Sequence, residues 1–265
     1  MRAAGIEVVG LHGRRAADGP LAITAGPFPA ALATAAVILV AVRDEQLAAA
    51  LGELPAAALA PAAVVLHASG SLDPRQALDR LRDAGHPTGT FHPLVPLADP
   101  TRAAALLREG WVGVDGDPAA VRVAETLAAR LGAHVLAIPA DGRAAYHAAA
   151  VIASNFPTVL AALAVRLMQH AGVAPASARD AVRQLMAAAV ANLASAAPHS
   201  ALVGPVSRGD AQTIALHLDA LAADADLLAV YVALSRAALP LAADQGVDPA
   251  ALARIRALLD VSSSR

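Results

Sequence analysis

The sequence predicts an α/β half with a doubly wound, mostly parallel sheet over residues 1–140, followed by an all-helical half over residues 141–265. Three observations carry that expectation. Short β-branched runs alternate with Ala-rich helical stretches as far as Ile138, the pattern of strand–helix units feeding one sheet. From Asp141 onward the strand signals stop. At the change stands a polar stretch, Tyr146 to Asn155, at the head of a long apolar run.

In chain order, Ile6–Leu11 reads as a strand between Gly5 and Gly13, and Ala22–Ala25 as a second. Pro29–Ala36 is expected to be helical. Val37–Val42 is the strongest strand signal, its β-branched run suited to a strand covered on both faces. Glu45–Leu51 continues as helix, Val64–His67 as strand, and Pro74–Ala84 as helix with Pro in its first turn, where a missing N–H costs nothing. Thr88–Phe91 leads into His92-Pro93. Trp111–Val114 and His134–Ile138 are strands flanking a helix over Pro118–Leu131.

The second half reads as helices over Ala144–Ala171 (one, or two meeting near Pro157) and Pro175–Ala196, the latter with Val182, Leu185, Met186 and Val190 as its buried side. A loop over 198–209 precedes helices at Asp210–Ala222, Asp226–Gln245 and Pro249–Leu259. Ser262–Arg265 is expected to fray.

Composition narrows the partners. A hydrophobic share of 57% looks membrane-like, but Ala, weakly apolar and the best helix former, supplies most of it. Phe28–Val42 is too short to span a bilayer, and Ala144–Val165 is interrupted by His147, Ser154, Asn155 and Pro157, so no membrane partner is expected. No secretory signal pattern is visible. Zero cysteines exclude disulfides and thiolate metal sites and fit a cytoplasmic protein. A net charge of −2 with 2% aromatics offers nucleic acid little to hold. Every basic side chain is Arg, so no Lys can act as a general acid.

In open α/β sheets ligands sit beyond the carboxyl ends of the strands. Those ends carry Arg14 and Arg15, Val40, Ala41 and Val42, Ala68, Ser69 and Gly70, and His92-Pro93. An Arg pair after an early strand suits a 2′-phosphate, hence NADPH rather than NADH. A solvated basic turn is the plain alternative. On a helix, His147, Val151, Ser154 and Asn155 share one narrow face, read here as a hinge face between the two halves. Gly204-Pro205-x-x-Arg208-Gly209-Asp210, with His217 one helix face further on, is a second candidate. Arg208 offers a planar fork for a carboxylate, and Asp210 can cap a helix. The histidines show no H-E-x-x-H or similar metal spacing, and Ala68-Ser69-Gly70 lacks the glycine of a hydrolase elbow.

His67-Ala68-Ser69-Gly70, Phe91-His92-Pro93-Leu94, Tyr146-His147-Ala148-Ala149-Ala150 with Ser154-Asn155, and the Gly204–Asp210 run with His217 follow one another in that order. Together they resemble a bacterial oxidoreductase family that joins a Rossmann-like half to a domain of unknown function, number 2520. The family is similar to pyrroline-5-carboxylate reductase and to the 6-phosphogluconate dehydrogenase-like proteins. The resemblance implies an N-terminal Rossmann-like NADPH-binding half, a 6-phosphogluconate dehydrogenase-like helical half that forms a homodimer, and a small-molecule substrate.

By position, it puts Arg14 and Arg15 toward the 2′-phosphate, and Val40 to Val42 with Ala68 to Gly70 along the ribose and nicotinamide. His92, Tyr146, His147, Ser154, Asn155, Arg208, Asp210 and His217 are set toward substrate. The implied reaction is hydride transfer to a small carboxylate-bearing 2-oxo acid such as ketopantoate, or to an imine. His147 is the expected general acid, with its near-neutral ordinary pKa, and Tyr146 the reserve. The alternative is a sensing dimer without turnover.

The sequence departs from the family at its start. A Rossmann fold opens with a strand and a Gly-x-Gly-x-x-Gly turn, and Met1 to Gly5 reads instead as the last turn of the following helix. A start upstream of Met1 is the favoured expectation, and loss of that feature the other.

Overall fold

The computed structural model describes residues 1–19, 21–96, 99 and 101–262. They divide into two compact units, Met1–Pro157 and Thr158–Arg265. The first unit holds the strands β1 (Leu11–His12), β2 (Ile23–Thr24), β3 (Val37–Val40), β4 (Val64–His67), β5 (Thr88–Pro93), β6 (Trp111–Gly116) and β7 (His134–Ala137). Its helices are α1 (Asp44–Glu53), α2 (Pro74–Ala77), α3 (Asp79–Asp83), α4 (Ala103–Leu107), α5 (Pro118–Leu131) and the opening turns of α6 (Arg143–His170).

β3 to β7 form one sheet in sequence order, every neighbouring pair parallel except β5 with β6. β1 and β2 form a separate parallel pair. The doubly wound expectation therefore holds, with one antiparallel joint. Alternation along each strand sorts the two faces. Leu66, Phe91, Val112 and Val114 meet Ala120, Ala124 and Ala128 of α5, an Ala stripe that lets the helix lie close. On the opposite face, Ile38, Val40 and Val65 pack with Leu47 and Leu51 of α1 and with Leu78 and Leu81 of the α2–α3 region.

Several local expectations are corrected. The first strand is only Leu11–His12; residues 6–10 belong to no strand. Pro29–Ala36 forms one short 3-10 turn, Ala30–Ala33. β3 is half-buried throughout rather than covered on both faces, because it is the edge of its sheet. Pro74–Ala84 is two short helices that break at Leu78, whose φ of −117° and ψ of 17° leave the helical range. Helix α4 carried no recognised signal.

α6 is one continuous helix with Pro157 inside it, and the two compact units divide immediately after that proline. The second unit continues with α7 (Pro175–Ser195), α8 (Pro198–Ala201), α9 (Ala211–Leu221), α10 (Ala225–Asp244) and α11 (Pro249–Ser262). Residues 263–265 of the expected frayed end lie outside the described residues. Ile214 and Leu218 of α9, Val232 and Leu239 of α10, and Ile255 and Leu259 of α11 make its core. Each of these helices opens on an aspartate that accepts backbone N–H groups: Asp210 from Thr213, Asp224 from Leu227, and Asp248 from Ala250 and Ala251.

α7 departs from its expected packing. Val182 is buried with Ala178, but Leu185 and Val190 are 66% and 65% exposed. α6 shows the same character, with Ile152, Phe156 and Val159 about half exposed. By length and composition alone, the stretch Ala140–His170 and helix α10 are each apolar enough to cross a membrane, and the most apolar window of the former is nowhere buried.

Candidate active site

The site grows out of strand register. β3 to β6 align Val40 with His67, His67 with Thr90, and Thr90 with Asp115. Cross-strand partners share a face, so these four form one row near the carboxyl ends of β3 and β4. Two residues further along β5, on the same face, His92 stands opposite Gly113. The opening turns of α6 present Arg143, Tyr146 and His147 to this face.

His67 is fully buried. The backbone N–H of Ser69 donates to its Nδ1 at 3.2 Å, so that nitrogen bears the lone pair and the proton sits on Nε2, 3.3 Å from Thr90 Oγ1. Burial, and then the nearby Arg143 cation, lower its pKa to about 4. His67 is a neutral strut beneath the loop that follows β4.

That loop is tied at its far side. Ser69 Oγ accepts the N–H groups of Ser71 and Leu72, each at 3.2 Å, and Ser71 Oγ donates to Asp44 at the start of α1, 2.5 Å away. Gly70 lies under two rings. A Cβ there would stand 2.6 Å from His92 Cε1 and 2.8 Å from His147 Nδ1, so only glycine lets both histidines close over the loop. The two ring centroids are 6.0 Å apart.

Tyr146 fills the space that Gly113 leaves open; a Cβ on Gly113 would meet the phenol Cζ at 2.8 Å. Its Oη lies 2.7 Å from His92 Nδ1. Burial pushes the phenol up to about 12, so it keeps its proton. Tyr146 has no other hydrogen-bond partner among the described residues, so this bond, in either direction, ties the phenol to His92. Burial, followed by repulsion from His147, lowers the pKa of His92. His147 Nδ1 is itself buried and has no hydrogen-bond partner among the described residues.

Behind these rings lies an ion cluster. Asp115 receives Arg75 through two bonds of 3.2 and 2.9 Å and Arg143 at 2.7 Å. Burial alone would raise the Asp115 carboxyl; the hydrogen bonds from Arg143 and Arg75 bring it below its ordinary value. Sequence reading missed this cluster. One signal was available: Arg143 stands four residues before His147, hence on the same helix face.

The other expected site residues lie as follows. Arg14 and Arg15 are exposed just beyond β1. Val40 is half-buried at the end of β3, Ala41 and Val42 are exposed, and the Ala68 N–H donates to the Val40 carbonyl at 3.0 Å. Ser69 and Gly70 are buried. Ser154 and Asn155 are exposed on α6. Arg208, Asp210 and His217 belong to the second unit. There Arg208 is exposed, Asp210 is the cap of α9, and His217 Nδ1 lies 2.7 Å from the Tyr231 hydroxyl. Among the described residues no group of three His, Asp or Glu side chains could hold a metal ion.

Residues 111–238 match the family described as Domain of unknown function (DUF2520). No curated protein matches the sequence. Three of the solved structures with a similar fold are these. A Thermotoga maritima protein is 24% identical at a TM-score of 0.66, with 78% of each chain covered. A proposed NADP oxidoreductase from Bacteroides fragilis is 20% identical at 0.69, with 90% of each covered. Plasmodium falciparum pyrroline carboxylate reductase, solved with NADP bound, is 12% identical at 0.59, covering 97% of this chain and 91% of that one. The chain thus joins a Rossmann-like sheet to a stretch, from β6 into α10, that matches the DUF2520 model.

Proposed function

We propose that the protein is an NADP-dependent oxidoreductase acting on a small carboxylate-bearing 2-oxo acid of the ketopantoate type, with a cyclic imine as the second substrate class. The observation that carries this reading is the closure of His92 and His147 over Gly70 at the carboxyl ends of β4 and β5, where a doubly wound sheet binds its ligands.

The residues present fit a dinucleotide. Arg14 and Arg15 are free in solvent at the end of a parallel pair and suit a 2′-phosphate. The ends of β3 and β4 lie side by side, and Val40 to Val42 with Ala68 make an apolar ledge for a flat ring. NADPH supplies a hydride to the carbonyl carbon when bound, and the oxygen takes a proton as the C=O π bond opens. His147 is the proton donor in this reading. Its Nδ1 is a buried polar atom without a hydrogen-bond partner among the described residues, and such atoms in native folds call for a use. Tyr146 is hydrogen-bonded to His92 and is the reserve acid. Ser154 and Asn155, exposed on α6, and Arg208, Asp210 and His217 of the second unit are assigned to substrate, with Arg208 as the carboxylate fork.

The exposed apolar residues of α6 and α7 support a homodimer through the helical half, with neither membrane nor nucleic acid as partner and the cytoplasm as the site of action. The test is NADPH oxidation across a panel of 2-oxo acids and cyclic imines, with wild type and His147→Ala. Turnover of one member that falls about 10²-fold or more in the variant, at unchanged NADPH affinity, is the expected result. No turnover of any member, or an indifferent variant, would overturn it.

A further inference from the structure

Arg143 is the first residue of α6, and it is an odd choice for a helix start. The side chain is 6% exposed. Burying a guanidinium is costly, and a buried ion pair seldom stabilises more than the apolar residues that could replace it. The pairing is also incomplete. Nη2 holds Asp115 at 2.7 Å, Nη1 points at the Gly70 carbonyl from 3.5 Å, and Nε is buried with no partner among the described residues. A simple anchor for α6 needs none of this.

The surroundings give the cation a target. Arg143 stands one helical turn before His147 and on the same face, and it reaches toward the glycine over which both rings close. Asp115 is shared between Arg143 and Arg75, since Arg75 binds the same carboxylate with two bonds. Two guanidinium groups share one carboxylate, with Asp73 offsetting only the outer one, at 3.2 Å from Arg75 Nε.

We propose that Arg143 is a positioning residue: held by Asp115, it keeps a fixed positive charge behind Gly70 and the histidine pair. That charge favours an anionic group in front of the rings, whether a substrate carboxylate or the oxygen that gains electrons as hydride arrives, a role that rests on the reductase reading. It also disfavours protonation of His67 and His92. His67 faces Arg143, Asp44, Asp73 and His92, and His92 faces Arg143, Tyr146 and His147 on α6 and Asp44 on α1.

The test is a proton-NMR titration of the full chain without cofactor, with the His92 ring signal assigned by its loss in His92→Gln. Arg143→Met is expected to raise the His92 midpoint. Arg143→Lys, which keeps the charge without the fork, is expected to hold the midpoint near that of wild type. Asp115→Asn, which frees both arginines from their anion, is expected to lower it. Equal midpoints in Arg143→Met and wild type would overturn the proposal, as would an upward shift of the same size in Arg143→Lys. If Arg143→Met does not fold, the Lys and Asn variants decide by the same directions. The titration needs neither NADPH nor substrate. A shift in a chain that binds no NADPH would leave the charge arrangement standing and remove the reductase reading alone.

Discussion

The Tyr146 hydroxyl lies 2.7 Å from Nδ1 of His92, within hydrogen-bond reach, joining α6 to the end of β5. If the phenol is the donor, the bond keeps the His92 proton on Nε2. Tyr146→Phe keeps the ring and removes the donor, leaving Nδ1 without its partner. A loss of about 1 kcal/mol is expected in urea unfolding, together with a changed nitrogen-15 shift pattern for the His92 ring. An unchanged tautomer in the variant would show that the phenol does not set it.

Gly113 is the seat of that tyrosine. Gly113→Ala forces the phenol away from His92 and is expected to cost about 1–3 kcal/mol through overpacking. Tyr146→Ala in the same chain removes the obstacle, so the double variant should lose less than the two single losses combined. A double-mutant cycle by urea unfolding measures this directly.

His67 makes stability depend on pH. Its pKa falls from 6.5 to about 4 on folding, so between those values the unfolded chain binds a proton that the folded chain refuses. Stability from this group is present above pH 6.5 and drains as pH falls toward 4, by about 3 kcal/mol in all. The Ser69 N–H aimed at Nδ1 gives the reason in geometry, since a protonated ring would set donor against donor. Urea unfolding at pH 7 and at pH 4.5 should show the drop in wild type and a smaller one in His67→Gln.

The apolar helices make a prediction about assembly. Ile152 and Phe156 on α6, and Leu185 and Val190 on α7, are open to solvent in the single chain. Sedimentation at micromolar concentration should report a dimer, and Leu185→Glu with Val190→Glu should yield monomers. Monomeric wild type would remove the homodimer from the account.

How legible the molecule was in its sequence depended on the range of the interaction. Val64–His67, three apolar residues ending in a polar one, and Pro118–Leu131, bounded by Pro at its start and Gly132 after it, carried their own boundaries. Ile6–Leu11 had strand composition, yet only Leu11 and His12 found a ladder partner, because a strand needs a neighbour that no local pattern supplies. Leu185 and Val190 show the same limit in a helix: their spacing marks an apolar face without saying whether this chain covers it.

In the site, His67, Ser69, Gly70, His92, Tyr146 and His147 were singled out by motif, and register brings them together. Asp115, Arg75 and Arg143 were not, since three charged residues far apart in sequence look like solvated surface until the sheet aligns them. The polarity of Ser154 and Asn155 was visible, but their exposure was not.

The central claim is that this chain holds a 2′-phosphorylated dinucleotide. Calorimetric titration of the purified chain with NADPH and with NADH tests it most directly. Micromolar binding of NADPH, markedly weaker binding of NADH, and loss of that preference in Arg14→Ala with Arg15→Ala is the predicted result. No heat with either nucleotide, or equal affinity for both, would contradict the account.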